Sequence, residues 1–262
     1  MIYRIDNLTD YRIYPISGRE FDSSWIIFSL KYTAPDSVIV GADNGTAYTI
    51  KVSKFNNSDW RFAVGDFIGY CNDNKINAIL EMPQSDYEDA IQQYIGHSFN
   101  ESFLREYEPE ILIHSITMES WKNIQRDGVL KSWKKLKTEN IVLEEHPIGM
   151  KLGDPKNFSD YIMFGGGVTG EIVVHSKQVG KIVMDINAEY KTGAMLYFDA
   201  KKIAEDGLLI CDGCHMKVKD ALPLTPYLIL AANWDKIGLS SPISTPKIFS
   251  EAADMRLRVH QF

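Results

Sequence analysis

The sequence predicts an α+β protein of two parts, a β-rich domain over residues 1–108 and a second domain over residues 109–262. Three observations predict it. Short apolar runs rich in β-branched and aromatic residues are punctuated by glycine, asparagine and aspartate turns. Helix-like segments are segregated from these runs, unlike the strict alternation of a doubly wound parallel sheet. The charge also changes near residue 110: residues 1–110 carry eight more acidic than basic side chains, and the remainder is close to neutral. At 262 residues, with 45% hydrophobic and 24% charged, the chain is long enough for two modest domains and has an ordinary globular composition.

Each element follows from its residues. Trp25–Tyr32 is a strand-like run. Ser37–Val40 and Ala47–Val52 flank Asp43-Asn44-Gly45, a hairpin signal because Asn-Gly tolerates positive φ. Phe67–Cys71 and Ile76–Leu80 flank Asn72-Asp73-Asn74 and predict a second hairpin. Ser85–Ile95 predicts a helix in which Ser85 is the N-cap and Glu88 completes a capping box. The acidic, aromatic stretch that ends at Pro109 then reads as a connector.

Beyond it, Ile111-Leu-Ile-His-Ser115 is a short apolar strand ending at His114, followed by an amphipathic helix. Thr117 or Ser120 can cap that helix, Trp121, Ile124 and Val129 share one side of it, and Gly128 stops it. Tyr161–Phe164, Glu171–His175, Lys181–Asp185 and Leu196–Phe198 read as strands, with Gly165-Gly166-Gly167 as a turn between two of them. Asp199 can cap a helix through Ile203 that Gly207 ends. Leu208–Cys211 and Cys214–Val218 form a hairpin on a two-residue Asp212-Gly213 turn, and a proline-rich exit, Leu222–Tyr227, follows.

Several functional classes find no support. No apolar run approaches the ~18 residues of a membrane span. The first residues lack a basic stretch followed by an apolar core, and three cysteines, an odd number, fit a reducing cytoplasm better than a disulfide scaffold. Cys211-Asp-Gly-Cys214-His215 has the spacing of haem attachment without the export signal that goes with it, and offers zinc an incomplete ligand set. Packing of two small side chains across a hairpin accounts for it, and no metal is expected. The glycine run lacks the Lys-Ser/Thr of a P-loop, and neither a G-x-S-x-G elbow nor an H-E-x-x-H pair occurs. Lys122, Arg126, Lys131, Lys134, Lys135 and Lys137 crowd beside Trp121 and Trp133. That patch is either a solvated helix face or a nucleic-acid contact through Arg126, Lys131, Lys134 and Lys135.

Strand, His114, helix and the closing Asp127-Gly-Val-Leu130 resemble the first motif of the ADP-ribosyltransferase-like superfamily. Leu196-Tyr-Phe-Asp-Ala-Lys-Lys-Ile-Ala-Glu-Asp-Gly-Leu208, the hairpin and Leu222-Pro-Leu-Thr-Pro-Tyr-Leu228 resemble the C-terminal part of its RNA 2′-phosphotransferases and DNA-targeting ADP-ribosyltransferases. The resemblance covers about residues 111–230 in the same order; residues 1–105 resemble no such family. It implies a split antiparallel sheet that binds NAD as co-substrate, with His114 and Ser115 on the ribose and Tyr161 stacked on nicotinamide. Nicotinamide would leave through an oxocarbenium-like state, and a macromolecular acceptor, nucleic acid included, would capture the ADP-ribose. The glutamate of the last motif has no counterpart, so the resemblance leaves Asp212 and His215, with Lys217 beyond them, as catalytic candidates. The arginines of the 2′-phosphotransferases are also missing, which disfavours RNA 2′-phosphotransfer. A module that senses nucleotide or binds a protein without catalysis is the remaining reading.

Overall fold

A computed structural model describes residues 1–22, 24–32, 38–40, 47–55, 60–93, 108–142 and 145–260. Its contacts divide the chain into two compact units: Met1–Glu101 with Gly149–Phe158 and Ile210–His215, and Ser102–Ile148 with Ser159–Leu209 and Met216–Phe262. The first unit is therefore discontinuous in sequence, taking a loop and a hairpin tip from the second half of the chain. Helices and strands are mixed throughout, with seven α-helices among the described residues.

The first unit runs β1 (Ile2–Ile5), β2 (Ile13–Tyr14), β3 (Arg19–Glu20), β4 (Trp25–Lys31), β5 (Val38–Val40), β6 (Tyr48–Ser53), α1 (Trp60–Asp73), β7 (Asn77–Glu81) and α2 (Gln84–Gln93). Its main sheet has the order β1-β7-β4-β6-β5. The β1–β7, β4–β7 and β4–β6 pairs are parallel, and β5 alone is antiparallel to its neighbour. The expected pairing of Ser37–Val40 with Ala47–Val52 is found, β5 running antiparallel to β6, but the rest of this sheet is parallel and two helices accompany it. Parallel strands need a long crossover, and α1 supplies the one from β6 to β7, the two strands that flank β4. The second predicted hairpin is corrected, because Phe67–Cys71 lies inside α1. Trp60, Ala63, Val64, Phe67 and Cys71, all buried, recur at helical spacing, but that period shows only in a window opened seven residues earlier. Phe67 packs on Phe28 of β4 at 5.2 Å. The Asp43–Gly45 turn lies outside the described residues. The helix expected from an N-cap at Ser85 begins at Gln84, so Ser85 lies inside the helix and does not cap it.

The second unit comprises β8 (Ile111–Ile116), α3 (Met118–Asp127), β9 (Val129–Lys131), α4 (Trp133–Thr138), β10 (Tyr161–Met163), α5 (Gly167–Val179), β11 (Tyr190–Lys191), β12 (Ala194–Asp199), α6 (Ala200–Glu205), β13 (Leu209–Cys211), β14 (Met216–Lys219), β15 (Ala221–Pro223), β16 (Leu228–Asn233), β17 (Ile243–Ser244) and α7 (Pro246–His260), with part of β13 assigned to the first. Its sheets are β16-β12-β8, β10-β14-β13, and the two-stranded β9–β15 and β11–β17. Every pair with a defined register here is antiparallel. Thr117 is the N-cap of α3, accepting from the Ser120 amide at 3.2 Å, and Gly128 ends the helix at φ 69°. Asp199 caps α6 by accepting from the Lys202 amide at 2.9 Å.

Two expectations in this half are corrected. Glu171–His175 is not a strand but the middle of α5, which starts from Gly166 as N-cap, and Lys181–Asp185 follows that helix without strand structure. Glu171, Ile172, Val174, His175 and Ser176 are all buried, so the polar residues here do not mark a solvent face and the β-branched Ile172-Val-Val174 run reads as a strand. The Asp212-Gly213 hairpin has a four-residue tip, closed by the Asp212 amide donating to the His215 carbonyl at 3.2 Å. Gly213 sits at φ +88°, where a Cβ would meet the Ala63 carbonyl oxygen at 2.3 Å, so glycine is required there on both counts.

Candidate functional site

His114 is placed by strand alternation. On β8, Ile111, Ile113 and Ser115 point to one face of the sheet, and Leu112, His114 and Ile116 to the other. The first face carries the core of Met195, Tyr197, Ala232, Phe249 and Ala253, against which Ile111 and Ile113 pack. His114 pairs in register with Leu196 of β12 on the second face. Its Nδ1 lies 2.9 Å from the Met163 carbonyl oxygen, and its ring meets Phe164 edge-on at 6.2 Å. A carbonyl only accepts, so Nδ1 carries the proton and Nε2 presents a lone pair. Nε2 has no hydrogen-bond partner among the described residues. Burial holds the ring's pKa below its ordinary value, outweighing the Met163 bond that raises it, so the imidazole is neutral at neutral pH.

Tyr161 lies on β10, the strand that supplies Met163 to His114. Its ring is buried and carries the Lys217 ammonium at 5.0 Å from the centroid. Lys217 is itself fully buried and stands opposite Met163 in the β10–β14 register. His114, Met163, Tyr161 and Lys217 thus form one connected group. Met163 of this group and the neighbouring Phe164 carried no functional signal in the sequence, since one acts through its backbone and the other through ring packing.

Ser115 faces away from His114. Its Oγ would lie 2.6 Å from a Cβ at Gly170, so glycine there lets α5 approach β8 closely. Beside it Glu171, fully buried, accepts from the Tyr190 hydroxyl, and the Tyr190 ring lies 5.5 Å from that of His175. Ser115 Oγ, Glu171 Oε1 and His175 Nδ1 are the buried side-chain polar atoms without a hydrogen-bond partner among the described residues. Burial pushes the Glu171 carboxyl up to about 7, against the opposing pull of the Ser115 and Tyr190 hydroxyls.

Asp212 and His215 belong to the first unit and meet each other there. Asp212 accepts from the backbone amides of Cys214 at 3.2 Å and His215 at 2.7 Å, and its Oδ1 lies 3.0 Å from His215 Nδ1. The Tyr48 hydroxyl lies 3.2 Å from His215 Nε2, and Phe158 packs edge-on to the imidazole at 5.2 Å. With Nδ1–H donated to the carboxylate, Nε2 accepts from the phenol. This is the geometry of a proton relay, but both ring nitrogens are occupied and Tyr48 is buried, its pKa pushed far up by burial and by Asp154. Asp154 is also raised by burial. The network braces the hairpin tip. His215→Ala removes a partner from Asp212 and from Tyr48, and is expected to cost about 2 kcal/mol in denaturant unfolding of the first unit.

Four cations of the basic cluster are paired to three carboxylates, Lys131 and Lys135 sharing Glu139. Lys131 pairs with Glu139 at 2.6 Å, Lys134 with Asp160 at 2.9 Å, Lys135 with Glu139 at 3.8 Å and Arg126 with Asp127 at 2.9 Å. Such exposed pairs are worth at most about 1 kcal/mol, so a phosphate can compete for the cations, but each approach also meets a carboxylate. Among the described residues no group of three or more His, Cys, Asp or Glu can hold a metal ion, and the cysteines form no disulfide. No helix among them is long and apolar enough to cross a membrane.

No family model matches the chain, and neither the curated proteins nor the solved structures contain a significant match. Of the sites above, the His114 group has a free, directed and neutral acceptor on a half-buried ring, whereas the Asp212–His215 group is closed on itself.

Proposed function

We propose that the second unit binds NAD at His114 and transfers ADP-ribose to a macromolecular acceptor. The observation that carries this reading is the His114 ring, fixed through Nδ1 to the Met163 carbonyl with Nε2 left as an acceptor. A ribose hydroxyl is a donor that such a nitrogen recognises, and a ring already oriented loses little entropy on binding it. The all-antiparallel pairing of the second unit, with β8, α3 and β9 in succession, is consistent with the split-sheet architecture that the sequence resemblance implies. In the reaction the C1′–N bond of the nicotinamide ribose breaks, nicotinamide leaves with the bonding pair, and the acceptor's oxygen or nitrogen bonds to C1′ and loses its proton. Nicotinamide release from NAD by the whole chain, absent in His114→Ala, is the expected result; release undiminished in the variant would refute the assignment.

A second reading, nucleotide binding without transfer, is favoured by one observation. Among the described residues of the second unit the buried carboxyl is Glu171, and it packs with Ser115 on the opposite face of β8. A cation developing at C1′ calls for fixed negative charge on the reacting side. NAD binding with no nicotinamide release under any acceptor condition would select this reading.

A further inference from the structure

The C-terminal helix α7 has two apolar stripes, and only one of them is used. Phe249 and Ala253 are buried in the core over β12 and β16, with Leu257 packed against it. The other stripe, Ile248, Ala252, Met255 and Val259, repeats at intervals of four, three and four residues, the spacing of a coiled-coil seam. Ile248 is 52%, Met255 66% and Val259 67% exposed. Ile243, Ile186 and Met184 continue the patch: Ile243 lies on β17 directly before α7, and the Lys247 amide donates to the Ile186 carbonyl at 3.1 Å. These six are half of the twelve large hydrophobic side chains that stand exposed among the described residues, which is more than scattered surface exposure.

We infer that this stripe is a homodimer interface in which α7 packs antiparallel against α7 of a second copy. The pattern is self-complementary, as a two-fold interface requires. An antiparallel two-fold between residues 253 and 254 sets Ile248 against Val259 of the second copy and Ala252 against its Met255. Small then faces large at each inner contact, whereas a parallel arrangement stacks alanine on alanine and methionine on methionine. The flanking charges agree. Glu251 and Arg258, both exposed, border the same side of the seam, so in the antiparallel dimer Glu251 of each copy faces Arg258 of the other.

Sedimentation equilibrium on the whole chain tests this. The wild type is expected to dimerise, and Met255→Glu with Val259→Glu to be monomeric yet folded, its unfolding transition matching that of wild type diluted below the dimer Kd, since both side chains are exposed in the single chain. Arg258→Glu is expected to raise the dimer Kd about tenfold or more, and Glu251→Arg combined with Arg258→Glu to restore it, a rescue that only self-association through this seam produces. A wild type that stays monomeric up to ~100 µM, a dimer indifferent to the glutamates, or a charge reversal without rescue each overturns the inference.

Discussion

Raising the pH from about 5 to about 8 is expected to destabilise the second unit by roughly 2–3 kcal/mol, and Glu171→Gln to abolish most of that loss. The sign follows from the carboxyl's environment. Folding takes Glu171 from an ordinary value of 4.5 to about 7 because burial penalises the charged form. The folded state thus binds more protons than the unfolded chain between those values. Stability is full below the unfolded pKa and is lost as pH rises to the folded one. The groups that face Glu171 give its charge little to pair with: Ser115 on β8, Tyr190 on β11, His175 on its own helix, and Tyr197 of β12, whose hydroxyl donates to Asp254 of α7 at 2.8 Å. Glutamine keeps an acceptor for Tyr190 and cannot ionise. The stability difference between variant and wild type should therefore grow from near zero around pH 4.5 to its plateau above pH 7, measured by denaturant unfolding followed on the second unit's transition. Parallel pH profiles for the two proteins would show that Glu171 does not titrate as described.

Gly193→Ala should be more damaging at any pH. An ideal Cβ at residue 193 would lie 1.8 Å from the Ile116 carbonyl oxygen, 2.9 Å from its carbonyl carbon and 3.3 Å from Thr117 Cα. All three are backbone atoms, so no side chain can swing aside. Relief requires the end of β8 to move off β12, where Ile116 is paired with Ala194 and His114 with Leu196. Overpacking against backbone in a close-packed core costs about 3 kcal/mol or more, which lowers the Tm of a unit this size by roughly 10 °C. Gly165→Ala is the control, because nothing lies within 4 Å of a Cβ there, and it should be near neutral. A Gly193→Ala protein as stable as the control would mean that β8 and β12 are not packed as closely as described. Because His114 precedes the clash by two residues, the same variant should also weaken whatever the histidine binds.

Local signals in the sequence were most legible where a single residue type performs a backbone task. Asp199 as a cap, Thr117 as one of two cap candidates and Gly128 as a helix stop were readable, because capping and positive φ depend on the residue itself, and the strand at Ile111 was readable too, although it runs past His114 to Ile116 rather than ending there. What failed was periodicity in buried segments. The middles of α1 and α5 are buried, so Phe67–Cys71 and the Ile172–Val174 core of Glu171–His175 present short apolar runs that a short window reads as strands. The parallel order of the first sheet was hidden for the same reason, since recognising α1 is what reveals the crossover.

At the candidate site, His114 was legible and its surroundings were not. Met163 contributes a carbonyl, which any residue has, and Lys217 is brought to Tyr161 only through the β10–β14 register. Ser115 stood next to His114 in sequence and lies on the other face of the sheet, a consequence of strand alternation that sequence adjacency conceals. Asp212 and His215 do meet, three residues apart, but around Tyr48, which precedes His215 by 167 residues.

The central claim is that His114 presents an acceptor for NAD, and calorimetric titration of NAD into the whole chain and into His114→Ala tests it most directly. The account predicts saturable binding to the wild type that the variant loses or weakens at least tenfold, with the variant's thermal unfolding close to that of the wild type. Equal affinity in the two proteins, or no binding to either, would contradict it.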